Sequence, residues 1–142
     1  MKRIKYVSQF AKDLSRDEIA ALAERSARNN ARLGITGILM TSGRMFFQIL
    51  EGPAENVDEI FKRIVADQRH RDVLLLDAEE DAGERFFPDW SMRKIDLDAS
   101  ADERMQPIRE ALGAIIEKRF EIDQLVHALE RAIWNELASL VD

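Results

Sequence analysis

The sequence predicts an α+β domain built on a ferredoxin-like β-α-β-β-α-β sheet, with an extra strand and two C-terminal helices. Three observations carry this. Short segments with strand spacing alternate with two longer segments of helical spacing. The turn residues Gly34, Ser42-Gly43 and Gly52-Pro53 fall at the junctions between them. The segment beyond Asp96 changes character, becoming first polar and then amphipathic.

The elements follow in chain order. Ile4 to Phe10 reads as a strand, with Ile4, Tyr6, Ser8 and Phe10 on one face and Val7 on the other. Ser15 opens a helix through a Ser-x-x-Glu capping box completed by Glu18. Ile19, Leu22, Ala23 and Ala27 continue it at helical spacing to about Arg32, and Gly34 ends it. Ile35–Thr41 and Arg44–Glu51 form a hairpin around Ser42-Gly43. In its second strand Phe46, Gln48 and Leu50 share one face, and Met45, Phe47 and Ile49 the other, so both faces expect cover. Gly52-Pro53 starts a second helix, with Pro53 near its first position and Val57, Ile60, Phe61 and Ile64 as its apolar stripe. Asp72–Glu79 is a further strand, 80–85 a charged loop, and Phe86–Asp96 contains a fifth strand delayed by Pro88. The first and third strands are expected as parallel neighbours, which places Tyr6 beside Gln48. The domain ends near residue 97. The extension 98–142 begins as a polar linker, followed by helices over 107–118 and 122–141. The second of these carries the stripe Leu125, Leu129, Ile133, Leu137 and Leu140, suited to capping the sheet's free face or binding a second subunit.

Composition removes several classes of function. The 142 residues hold no cysteine, which excludes disulfides, thiolate nucleophiles, thiolate zinc sites and iron–sulfur clusters. Two histidines far apart in sequence, His70 and His127, argue against a histidine-rich metal site. A formal charge of −6 argues against direct binding of nucleic acid. No signal peptide or membrane span is expected, and the default location is the cytoplasm.

Four places set polar groups against apolar surroundings. Gln48 lies between Phe46 and Leu50, where an amide is costly unless bonded. Tyr6, the sole tyrosine, lies on the strand expected beside it. Leu22, Ser26, Asn29 and Asn30 lie near one stripe of the first helix. Asp67-Gln68-Arg69-His70 closes the second. Each has an ordinary explanation: a satisfied core amide, a core tyrosine, a helix-end asparagine, basic residues facing a helix C-terminus. Together, with Leu22 and Ile64 on adjacent helices, they outline a flat slot with apolar walls and amide, guanidinium and phenol groups at its edges. A planar heteroaromatic ligand with carbonyl and ring-nitrogen acceptors suits such a slot.

These residues also carry a family resemblance. Tyr6-Val7-Ser8, Arg28-Asn29-Asn30-Ala31, Ile35-Thr36-Gly37-Ile38-Leu39, Phe47-Gln48-Ile49-Leu50-Glu51-Gly52-Pro53, Asp67-Gln68-Arg69-His70 and Phe87-Pro88-Asp89-Trp90-Ser91-Met92 resemble the BLUF domain, the blue-light sensor using FAD. The likeness covers roughly residues 1–96 and points to a short stand-alone BLUF protein. It implies a domain at 1–97 that binds FAD, or FMN or riboflavin, non-covalently between the two helices. It implies that Tyr6 is the photoactive tyrosine, Gln48 the switching glutamine, and Trp90 and Met92 the pair that exchanges places near it. Asn30 becomes a flavin contact, Arg69 and His70 contacts to the polar edge or ribityl chain, and Leu22 and Ile64 the ring's apolar walls. Ser26, Asn29 and Asp67 complete the expected cofactor-binding set, with Asn29 standing where some members carry histidine. Residues 98–142 match no motif of the family.

The function expected is therefore a photoreceptor, not an enzyme, acting in trans on a downstream protein and forming a homo-oligomer. Light drives electron and proton transfer from tyrosine to flavin and a glutamine hydrogen-bond switch. The alternatives are a cofactor-free ferredoxin-like interaction module and a flavin-dependent enzyme on the same fold.

Overall fold

The computed structural model describes residues 1–99 and 103–138. Its elements are β1 (Lys2–Phe10), α1 (Arg16–Arg32), β2 (Thr36–Ser42), β3 (Met45–Gly52), α2 (Ala54–Ala66), β4 (His70–Glu79), β5 (Arg93–Asp96) and α3 (Gln106–Leu137), the last preceded by a 3-10 turn at Glu103–Met105. The chain divides into two compact units, Met1–Ala101 and Asp102–Asp142.

In the first unit the five strands run in the order β4-β1-β3-β2-β5. β1 and β3 are neighbours, and Tyr6 stands directly across from Gln48, but the strands run antiparallel. The expectation of a parallel pair fails for a topological reason. The helix between β1 and β2 returns the chain so that these two strands point the same way. The tight hairpin then reverses it, and β3, inserted between them, opposes both. β5 joins the edge parallel to β2.

Local chemistry places the helices. Ser15 accepts the Glu18 N–H while the Glu18 carboxylate accepts the Ser15 N–H, closing the expected capping box. Ile19, Leu22 and Ala23 then face the sheet. α1 ends at Arg32 with Leu33 as its C-cap, and Gly34 follows with a φ of +67° in the left-handed region. Pro53 is the N-cap of α2, one position earlier than expected, and Val57 and Ile60 are its buried anchors. Asn56 Nδ2 donates to the Leu33 carbonyl at 2.8 Å and so ties the start of α2 to the end of α1. The core gathers Ile4, Tyr6, Phe10, Leu22, Leu39, Phe46, Leu50, Val57, Ile60 and Met92.

The β3 backbone leaves no room for a side chain at Gly37 on β2. A Cβ there would stand 1.9 Å from the Ile49 carbonyl oxygen. The Gly37 N–H donates to the Trp90 carbonyl at 2.8 Å, fixing the segment that leads into β5.

On the other face of the sheet an ion pair is enclosed. Arg3 and Glu51, in register on β1 and β3, are 1% and 0% exposed, with Arg3 Nε 2.9 Å from Glu51 Oε2. Glu51 also accepts the backbone N–H groups of Phe86 and Phe87 at 3.0 and 2.6 Å. Arg3 donates further to Glu79 and to the Glu84 carbonyl, and its guanidinium stacks 3.6 Å from the centre of the Phe86 ring. The loop before β5 is thereby fastened to two central strands.

The second unit departs from expectation. The helices anticipated over 107–118 and 122–141 are one 32-residue helix, α3. The intervening Arg119-Phe120-Glu121 contains neither glycine nor proline, so nothing stops propagation. The stripe Leu125, Leu129, Ile133 and Leu137 lies exposed on it. Leu140, expected to continue it, falls outside the described residues, as do 100–102 of the linker. No helix among the described residues is long and apolar enough to cross a membrane.

Candidate functional site

A cavity of about 290 Å³ lies against the helix-covered face of the sheet. β1, β2 and β3 contribute Tyr6, Leu39, Phe46 and Gln48. α1 contributes Leu22, Ser26, Asn29 and Asn30, and α2 contributes Ile60, Arg63 and Ile64. The turn after α2 supplies Asp67, Arg69 and His70. All ten residues expected from the sequence to touch a cofactor line this one cavity. Four lining residues were missed. Leu39 faces Gln48 across the hairpin, Phe46 lies two residues before it, and Ile60 one helical turn before Ile64, so alternation and helical spacing could have found them. Arg63 carries no such signal, because a basic residue on a helix ordinarily marks a solvated face.

The central feature is a relay of three buried side chains. Tyr6 is fully enclosed, and its hydroxyl donates to Gln48 Oε1. Gln48 Nε2 in turn donates to Met92 Sδ at 3.3 Å. Burial pushes the Tyr6 phenol far above its ordinary pKa, so it stays protonated at every physiological pH. Met92 therefore occupies the position beside the glutamine. Trp90 sits apart, its ring stacked on Phe87 at 5.6 Å between centroids and under the Arg93 guanidinium.

Asn30 is buried at the end of α1, where Nδ2 donates to the Ser91 carbonyl at 3.1 Å. The residue thus touches both the cavity and the segment carrying Met92. At the other end, the Asp67 carboxylate caps the turn by accepting the Arg69 N–H at 2.9 Å and grips the Arg69 guanidinium at 2.5–3.0 Å. Those bonds from Arg69 lower the Asp67 pKa to about 2, so the pair is internally neutralised. His70 Nδ1 lies 3.2 Å from Ser8 Oγ, and burial, ahead of the opposing pull of Asp67, holds its pKa below the ordinary value.

The donor set suits a flavin. Apolar side chains from sheet and helices enclose a space close to the lower limit of ligand cavities, about 300 Å³. That is room for a planar ring system with amide donors and acceptors at its rim.

Comparison with known proteins agrees. The family described as "BLUF: Sensors of blue-light using FAD" matches residues 1–93. Photoactivated adenylate cyclase subunit beta of Euglena gracilis is 31% identical over 101 residues, which cover 70% of this chain and 12% of that one. The blue light- and temperature-regulated antirepressor BluF of Escherichia coli (strain K12) is 35% identical over 81 residues, 57% of this chain and 20% of its own. The chain thus spans only a small part of these curated relatives. Among solved structures, a bacterial light-regulated adenylyl cyclase superposes with a TM-score of 0.81 at 38% identity, covering 87% of this chain and 36% of its own. The dark-state structure of BlrB, a BLUF protein, gives 0.63 at 39% identity, covering 68% and 73%.

Proposed function

The chain belongs to the BLUF family, sensors of blue light using FAD, and we propose that it is a photoreceptor whose switch is the relay Tyr6–Gln48–Met92. The cofactor is FAD, held by Leu22 and Ile64 as apolar walls and by Asn29, Asn30, Ser26, Asp67, Arg69 and His70 at its polar edges. Bound flavin supplies the absorption of blue light and an oxidising ring once excited. Tyr6 supplies an electron and a proton. Its phenol is neutral, and the bond to Gln48 Oε1 gives the proton a defined acceptor.

One observation carries the switch: the Gln48 amide is engaged at both ends. A glutamine amide has an acceptor end and a donor end. Turning it over presents Nε2 to the tyrosine oxygen and Oε1 to the Met92 sulfur, which has no proton to give. Met92 then loses its partner, and it immediately precedes β5, an edge strand. A change at one buried amide is thereby converted into a bias on a strand.

The test is a light-minus-dark absorption spectrum of the flavin-loaded chain. The expected result is a red shift of the flavin bands that reverts in darkness and disappears in Tyr6→Phe and Gln48→Leu. A colourless protein that takes up no added flavin favours the cofactor-free interaction module instead. Steady turnover of an electron donor favours a flavin-dependent enzyme.

The output, in this reading, is a cytoplasmic protein partner acting in trans, not nucleic acid or membrane. Residues 1–97 sense and 98–142 relay. Light-controlled effectors among the relatives support a signalling role. Self-association through the exposed Leu125, Leu129, Ile133 and Leu137 of α3 completes the proposal. Light scattering after size exclusion, in darkness and under illumination, measures it.

A further inference from the structure

Ser8 lies on β1, on the same face as Tyr6, and is closed to solvent. Its Oγ stands 3.2 Å from His70 Nδ1, and among the described residues the hydroxyl has no other partner. His70 opens β4, with its ring 4.9 Å from that of Phe46, and lines the cavity.

The direction of this hydrogen bond follows from where the protons can go. A hydroxyl carries one proton, and a neutral imidazole carries one on either nitrogen. If Nδ1 holds the proton and donates, the Ser8 hydroxyl proton is left buried without an acceptor. If Ser8 donates, both groups are satisfied and the imidazole proton sits on Nε2. Leaving a buried donor unpaired disfavours the first arrangement by about tenfold or more. The doubly protonated ring has the same defect, since it also holds a proton on Nδ1. Burial acts in the same sense by holding the His70 pKa below its ordinary value, with Asp67 opposing and Arg69 reinforcing.

Nε2–H then has no partner of its own among the described residues, in a cavity whose other polar groups are mostly engaged. Gln48 is bonded at both ends, Asn30 Nδ2 donates to the Ser91 carbonyl, and Asp67 grips Arg69. His70 is therefore a donor with capacity to spare at the cavity wall.

We propose that Ser8 is a positioning residue for cofactor binding: by donating to Nδ1 it holds His70 as the Nε2–H tautomer, so the imidazole meets the ligand as a donor and the site takes a ligand edge with an acceptor atom there. The tautomer stands on the geometry alone. Its use rests on the photoreceptor reading, in which a flavin oxygen or ring nitrogen is the acceptor.

The test is nitrogen-15 magnetic resonance of the imidazoles in the full-length chain, as purified and after saturation with FAD. His127, the only other histidine, is exposed, and its signal is identified by its loss in His127→Gln. In the wild-type chain His70 is expected with Nε2 protonated and Nδ1 unprotonated. Ser8→Ala removes the reason for that choice and should give a mixture of the two forms, with FAD bound about tenfold more weakly. In a His70→Gln background, whose amide has no tautomer to set, Ser8→Ala should leave FAD affinity where it was. A proton on Nδ1 in the wild-type chain overturns the proposal. So does an unchanged single tautomer in Ser8→Ala, an unchanged FAD affinity in that variant, or an equal loss in the His70→Gln background. If FAD does not bind at all, the photoreceptor reading fails and takes the binding role of Ser8 with it, while the spectra of the purified chain still decide the tautomer.

Discussion

Arg3 and Glu51 meet at 2.9 Å in a space closed to solvent, and the same carboxylate holds the backbone of Phe86 and Phe87. The pair is therefore also the mooring of the loop that delivers Met92 to Gln48. Removing one member of a buried pair strands the other, at a cost of roughly 3–5 kcal/mol. Glu51→Ala is expected to lose that much in urea unfolding. Glu51→Gln keeps an acceptor for one of the two loop amides and none of the charge, and should lose less than the alanine.

Gly37 is the position where β3 leaves no room. A Cβ would press into the Ile49 carbonyl, which is backbone and cannot turn aside. Gly37→Ala is expected to destabilise by at least about 2 kcal/mol, as overpacking does. Gly43, where a Cβ meets nothing within 4 Å, isolates the difference. Its φ of +57° makes alanine strained there too, but by about 1 kcal/mol. Denaturant midpoints of the two variants should differ in that order.

His70 sets the first response to acid. Its folded pKa lies below the ordinary value, chiefly through burial, so the unfolded chain takes up the proton first. Stability is therefore full above about pH 6.5 and falls as pH drops below it. Asp67 behaves differently. Bonds from Arg69 lower its pKa to about 2, so its contribution persists above the ordinary 3.8 and fades only from there toward 2. Urea midpoints measured from neutral to mildly acid pH should decline in the wild-type chain and stay flatter in His70→Gln.

Met92 is the acceptor for Gln48 Nε2. Met92→Leu preserves volume but removes the sulfur, leaving a buried donor unpaired at a cost of about 1 kcal/mol or more. The light-induced red shift should survive, because Tyr6 and Gln48 remain. The dark recovery rate should change, because one end of the amide no longer distinguishes its two orientations. Flash-induced absorption decay measures this.

Much of the site could be read from the chain because its clues are local. Tyr6 and Gln48 stand out by alternation, Asn30 and Ile64 by helical spacing, and topology alone puts β1 beside β3. What escaped was non-local. Strand direction follows from how the hairpin and crossover combine, not from either strand. Arg3 reads as a basic residue near the chain start and Glu51 as a strand end; only pairing across 48 positions reveals them as one buried unit. Arg63 looks like any solvated helix residue until α1 is seen beside it. The break expected near Arg119 falls on Arg119-Phe120-Glu121, which holds no helix-breaking residue.

Tyr6 is the only phenol in the chain, and it is wholly enclosed at the cavity. Every tyrosine signal the protein can give thus originates at one atom group. Isotope-labelled tyrosine fed during expression would place a single reporter there, with no assignment problem and no background. Vibrational or magnetic-resonance spectra taken before and after illumination would then follow the Tyr6–Gln48 bond directly.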